Sequence, residues 1–451
     1  MNILIVTDYQ IYPFKIGASV AQFGTIEYLS KLCNLSLLLS EQQPITEQEL
    51  SELKELLPNV KIYTTEDSTK SSNRIHKNNN NNYFINLLYL FHNLERKSID
   101  FTKKKLKNII ESKQLQKKLP EEDFADVYTN YNPFYIHSKQ YIDAIKTIII
   151  EDHIDIVQLE FIETLNLVTI LPSNVKKLFI QHEPRFIRIS SHIDAKQIQS
   201  NFTNYIYNFN KCIELSLLEN FDGILSFNNS DCLALKEALD EKGKHIQFFT
   251  SPFPILDQDF RPIDKKTFRR PNKLTFIGPE QHFPNKDAVE WFIEEVAVEI
   301  YSKYGLKLYV IGQWSLETIE KYKNHPSGVT FLGFVEDVYE VCKDSISIAP
   351  VRIGGGLRTK IMLAMAQGIP VISTKFALEG IHAKHLESVM IAENKDSFCR
   401  AVEYILSDLE RTVLMCENAQ NLMRKYYSQS VVSDIRYECY KSLLKEVSLL
   451  K

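Results

Sequence analysis

The 451-residue sequence predicts an α/β protein made of two doubly wound, Rossmann-like layers. Three observations carry this. Short, almost wholly apolar runs alternate with helical stretches up to residue 250 and again from residue 272. A proline-bearing stretch without period, 251–271, separates the two series. In the second series the stretch from Ser345 to Ser373 reads as strand, glycine loop, helix, turn, strand, which is a parallel crossover.

In chain order, Asn2 to Thr7 is nearly all apolar, as a strand covered on both faces should be. A loop from Asp8 to Gly17 and a helix over 18–33 follow. A strand over 35–40, a helix over 46–57 and a strand over 60–64 repeat the pattern. Residues 64–124 break it. Five successive asparagines, Asn78 to Asn82, lie in a polar stretch. Residues 83–118 then read as helical and basic, with nine Lys or Arg against three acids. Such an insertion is either a solvated face or a contact for an anionic membrane surface or acidic acceptor. The alternation resumes with a helix over 138–151, strands over 155–159 and 177–181, a helical stretch over 194–220, a strand over 223–227 and a helix over 230–239. These complete a first domain, 1–250.

The second domain, 272–430, opens with a strand over 273–277. A helix over 287–303, strands over 306–312 and 329–332, and a short helix over 336–341 lead to the crossover unit. Helices over 395–407 and 408–427 follow. The remaining helix, 431–451, is long enough to return to the first domain.

Composition narrows the function classes. A net charge of −4 gives no general reason to expect nucleic acid. Seven scattered cysteines, without a CxxC pair or a Cys/His cluster, argue against a zinc site and a disulfide framework. They fit a reducing, cytoplasmic compartment. The N-terminus lacks the marks of a signal peptide, and no run of eighteen apolar residues predicts a membrane span.

The chemistry centres on Gly354, Gly355 and Gly356. Glycines let the backbone come close to a ligand and turn its N–H groups toward it. The helix that starts just after them adds unpaired donors and the positive end of its dipole. Arg352, Arg358 and Lys360 add positive charge within nine residues. Together these point to a phosphate or diphosphate. The spacing is neither that of a Walker loop nor that of a dinucleotide fingerprint.

The run FLGFVEDV and the stretch from Ala349 to Ile381, together with FIGPEQHFPNKDAVEWF, resemble the large retaining family of nucleotide-sugar glycosyltransferases, family four in the usual classification. That resemblance implies a GT-B fold, two Rossmann-like domains facing a central cleft. It implies hexosyltransferase-type transfer from a UDP or GDP sugar to a glycan, lipid-linked or protein acceptor, with retention and with neither cofactor nor metal. It assigns the donor diphosphate to Gly354–Gly356, Arg352, Arg358 and Lys360, with Lys286 reaching it from the loop after the domain's first strand. Gly17 and Gly278 abut the donor, Phe334 and Val335 face the base, and Glu379 matches the acid of a Glu-Gly turn. His182 matches a histidine beside the transferred sugar; a structural histidine is the alternative. Glu183 and Arg185 are candidates for the acceptor. Three positions depart from the pattern: Pro279 follows Gly278 where an arginine is frequent, Leu363 stands where a glutamate usually meets the donor ribose, and Gly355 stands where the first glutamate of that pair would be. These departures keep open a non-catalytic relative that binds or scaffolds, and a sugar-nucleotide epimerase is a third possibility.

Overall fold

The computed structural model describes residues 1–14, 17–65, 124, 128, 134–240 and 245–445. The first layer contains β1 (Asn2–Thr7), α1 (Gly17–Leu29), β2 (Asn34–Leu38), α2 (Glu47–Leu56), β3 (Val60–Tyr63), α3 (Lys139–Glu151), β4 (Ile156–Glu160), β5 (Lys176–Gln181), α4 (Arg185–Lys196), α5 (Asn201–Leu218), β6 (Gly223–Ser226), α6 (Asn229–Asp240) and β7 (Gln247–Thr250). Its seven strands are parallel in the order β3-β2-β1-β4-β5-β6-β7. Residues Ile3 to Val6 of β1 are fully buried, because helices cover both faces of a parallel sheet. Local chemistry sets the helix starts. Thr46 and Glu49 form a capping box at α2, and the Ser138 hydroxyl accepts from Tyr141 N at α3. Tyr141, Ala144, Ile145 and Ile148 then turn one stripe of α3 into the core.

The second layer contains β8 (Lys273–Ile277), α7 (Phe283–Phe292), α8 (Val298–Tyr304), β9 (Lys307–Ile311), α9 (Leu316–Tyr322), β10 (Thr330–Gly333), α10 (Val338–Cys342), β11 (Ser345–Ala349), α11 (Thr359–Ala366), β12 (Val371–Ser373), β13 (Met390–Ile391), α12 (Lys395–Ser407) and α13 (Leu409–Tyr427). A π turn, Ile293–Ala297, joins α7 to α8. The six strands run parallel in the order β10-β9-β8-β11-β12-β13.

The connection between the layers is packed. Phe253, Ile255, Leu256 and Phe260 are buried, and Ile255 N donates to Tyr427 O at 2.7 Å. The last helix, α14 (Gln429–Lys445), returns to the first layer. There Gln429 Nε2 donates to Gly24 O at 2.7 Å, and Tyr440 Oη donates to Gln158 Oε1 at 2.6 Å.

Three differences from the sequence reading have local causes. The helical stretch expected over 194–220 is two helices, and the first begins at Arg185. Gln197 ends it in a left-handed conformation, and Ser200 caps the next. Strand β7 is half-buried and β13 has two residues, so neither carries a full apolar signal. The basic stretch 83–118 lies outside the described residues. Among the described residues, no helix is long and apolar enough to cross a membrane.

Candidate functional site

In each sheet the chain reverses its direction of winding between two neighbouring strands, β1 and β4 in the first, β8 and β11 in the second. Doubly wound sheets bind ligands beyond the carboxyl ends of such strands. The glycine loop leaves β11 at that place. Gly354 and Gly356 have φ of +111° and +69°, values that side-chain-bearing residues rarely adopt. A Cβ on Gly356 would stand 2.9 Å from the His182 carbonyl oxygen, so the loop reaches the first domain because it has no side chains. Gly354 N donates to Ser191 Oγ at 3.0 Å, and Ser191 Oγ donates back to Gly354 O at 3.2 Å. Gly355 N donates to Glu183 Oε1 at 2.7 Å. A carboxylate of the first domain therefore occupies an amide of the loop, and Arg188 holds its other oxygen at 3.2 Å.

Two cations stand behind the loop. Arg358, just before α11, is buried. Its Nη1 donates to Gly356 O, its Nη2 has no partner among the described residues, and its guanidinium lies 4.7 Å from the Phe376 ring centre. Lys360 Nζ donates to Asn285 Oδ1 at 2.6 Å and sits 4.0 Å from the Phe276 ring centre. Burial, with Arg358 nearby, pushes the Lys360 amine down to about 7. A buried guanidinium N–H without an acceptor is costly, and an arriving anion relieves that cost. Burial, with Glu183 and Glu379 nearby, lifts Asp231 to about 6 across the cleft.

Three expected residues do not join this cluster. Arg352 is held by both oxygens of Asp287, at 2.9 to 3.2 Å, and lies over Trp291. Asp287 also receives Lys196 of α4, so this group of charges ties the domains together. Lys286 pairs with Glu280 at 3.0 Å. Burial would raise Glu280, but bonds from Thr318, Ser315 and Lys286 outweigh it and bring its carboxyl down to about 2. Arg185 turns into the first domain, where its Nε donates to Asn210 Oδ1 at 2.6 Å and its Nη2 to Tyr128 O at 3.2 Å. In each case a neighbouring acceptor, invisible in the linear spacing, captures the cation.

Asn285 is the residue that spacing missed. It anchors Lys360 through Oδ1, while its Nδ2 donates to Pro279 O at 3.0 Å and its side chain packs on Gly278. Its position as the third residue of α7, beyond the carboxyl end of β8, was the available signal.

The other expected positions are dispersed around the cleft. Gly17 opens α1. Glu379 is exposed beside Gly380, whose turn packs on Asn228 of the first domain. Phe334 is 65% exposed after β10, and Val335 is half-buried. Leu363 is partly exposed between the buried Met362 and Ala364. The His182 ring stacks on Phe161 at 3.9 Å between centres, meets Phe227 edge-on, and places Nε2 3.4 Å from Glu160 Oε2. Burial lowers its affinity for a proton, Glu160 raises it and Arg436 lowers it again, for a net decrease.

The fold is GT-B. Over 97% of this chain and 99% of the other, it superposes on a point mutant of TarM from S. aureus, in complex with fondaparinux, α-GlcNAc-glycerol and UDP, with a TM-score of 0.63 at 12% identity. Sucrose-phosphate synthase from Thermosynechococcus elongatus gives 0.63 at 12% identity, over 99% of both chains. Anabaena Alr3699/HepE in complex with UDP gives 0.58 at 10% identity, over 98% of this chain and all of the other. Residues 271–408 match the family model described as glycosyl transferases group 1. No curated protein matches the chain by sequence.

Proposed function

We propose that this protein transfers a sugar from a nucleoside-diphosphate sugar to a hydroxyl of a glycan, lipid-linked or protein acceptor. The observation that supports this best is the seat formed by the Gly355 amide, Arg358 and Lys360 where β11 meets the cleft. When the bond from the sugar's anomeric carbon to its phosphate oxygen breaks, the electron pair stays on the diphosphate. The sugar becomes electron-poor. The amide, the guanidinium and the helix start after the loop would stabilise the departing charge without reorganising. Glu183 must leave the amide for a phosphate to enter, so donor binding and rearrangement of the cleft are coupled. The UDP in the TarM and HepE complexes favours a uridine donor over a guanosine one.

Retention, transfer without added metal and a hexose donor complete the proposal. They follow from the family that the glycine-loop stretch resembles. His182, at the carboxyl end of β5, would face the sugar. A cytoplasmic location, with the basic 83–118 stretch against an anionic membrane, is the corresponding cellular reading.

The test is a panel of UDP- and GDP-sugars with mixed acceptors in the presence of a chelator, paired with calorimetry for UDP. Turnover of a UDP-hexose with an unchanged anomeric configuration is expected. Folded protein that neither binds UDP nor consumes any donor would overturn the proposal.

A further inference from the structure

We propose that the returning C-terminal helix is a positioning element for His182, acting through Glu160 by means of Arg436 and Tyr440. Two routes converge on one carboxylate. Tyr440 Oη donates to Gln158 Oε1 at 2.6 Å, and Gln158 Nε2 donates to Glu160 Oε1 at 2.5 Å. Arg436 Nη1 stands 3.9 Å from the same oxygen. The second oxygen, Oε2, faces His182 Nε2 at 3.4 Å. Gln158, Glu160, Arg436 and Tyr440 are all at most 3% exposed. The chain therefore closes a buried network between residues nearly 300 positions apart, and α14 supplies two of its members.

Arg436 is not consumed by packing alone. Its Nε and Gln22 Nε2 are buried without partners among the described residues, and both residues line a cavity of ≈10 Å³ with Glu160, His182 and Thr25. That volume is about one water-sized probe sphere, bounded by polar groups.

Electrostatics give the network a direction. The charged groups that act on His182 are Glu160, from β4, and Arg436, from α14. The other cavity walls, Gln22 and Thr25 of α1, Phe227, Phe253 and Pro254, are neutral. Glu160 alone would draw a proton onto the imidazole. Burial opposes that pull, and Arg436 offsets part of the carboxylate's charge, so the net effect is a lowered proton affinity, with Nε2 directed at Oε2. Helix α14 thus acts on the charge of a residue at the cleft and holds the carboxylate that its ring nitrogen faces.

The significance for transfer rests on the reading of His182 given above; the network itself does not. The experiment therefore measures His182 directly, by NMR titration of histidine-labelled full-length protein, with the signal assigned by loss in His182→Gln. Arg436→Gln should raise the His182 midpoint by about one pH unit, since an opposing charge has gone and Glu160 remains. Arg436→Lys should return it most of the way. An unchanged midpoint in folded Arg436→Gln, or no recovery with lysine, would overturn the proposal. Should Arg436→Gln fail to fold, the double variant Arg436→Gln/Glu160→Gln removes both buried charges together. Its midpoint should lie above that of Glu160→Gln, in which Arg436 remains, and equal midpoints in the two variants would also overturn the proposal. If the wild type proves to be a transferase, the acid limb of kcat should move with the midpoint while donor KM stays constant. Midpoints that shift in a protein without transferase activity would uphold the network and refute the catalytic reading of His182.

Discussion

If the protein binds a nucleoside-diphosphate sugar as proposed, Lys360 should make that binding depend on pH in a direction that the structure sets. Its amine is pushed down to about 7, first by burial and then by Arg358. Below that pH the free protein already carries the charge a phosphate needs. Above it the free protein has lost the proton, and a bound diphosphate restores it by placing negative charge beside the amine. Binding then takes up one proton, and each further pH unit weakens affinity by about tenfold, or about 1.4 kcal/mol. A UDP-sugar has no ionisation of its own between pH 6 and 8.5, so over that range the loss should reach about thirtyfold. Titration calorimetry with UDP-glucose, in two buffers of different ionisation enthalpy, reads both the affinity and the proton taken up. Lys360→Arg keeps its charge throughout and should flatten the dependence. A wild-type affinity that is level across the range, with no proton uptake, would refute the assignment of Lys360 to the diphosphate. The same group acts on folding. Its folded value lies below the 10.5 of an ordinary lysine, so the unfolded chain binds more protons between the two. The penalty for burying it is present in full below pH 7 and is relieved as pH rises toward 10.5.

Further expectations follow from single contacts. Glu183→Gln should tighten UDP binding by about fivefold, because a neutral acceptor holds the Gly355 amide about 1 kcal/mol less firmly than a carboxylate. Calorimetry showing weaker binding would instead make Glu183 a ligand-binding group. Gly356→Ala places a methyl 2.9 Å from the His182 carbonyl at a φ of +69°. It should cost about 1–2 kcal/mol in stability, and an unaltered Tm would show that the loop is not pressed against the first domain. Arg352→Gln should lower Tm by leaving Asp287 with Lys196 alone, while UDP affinity stays as it is. A large loss of affinity would return Arg352 to the diphosphate site.

How far the sequence could be read depends on the range of the interaction involved. Strands such as β1 and β11 announce themselves because a parallel strand covered on both faces must be apolar throughout. Helix α12 spans Lys395 to Ser407 in the structure and was expected there, since its Asn394 cap and apolar period are local. The break between α4 and α5 at Gln197 was hidden, because no glycine or proline marks it. Among the site residues, the glycine loop was legible from spacing alone. Its cations were not equally so: Arg352, Arg358 and Lys360 look alike in sequence, yet Arg352 is taken up in an ion pair with Asp287.

The sequence by itself determined the two doubly wound layers, the glycine loop at the end of β11 and the cationic character of its surroundings. These depend on side-chain period, turn chemistry and composition, all of which act within a few residues. Tertiary structure alone decided that Glu183 holds the Gly355 amide, that Asn285 anchors Lys360, that Tyr440 reaches back to Gln158 and that Arg436 reaches back to Glu160. Those contacts join residues from 75 to 282 positions apart. Such pairings depend on how whole layers close on one another, and no local period encodes them.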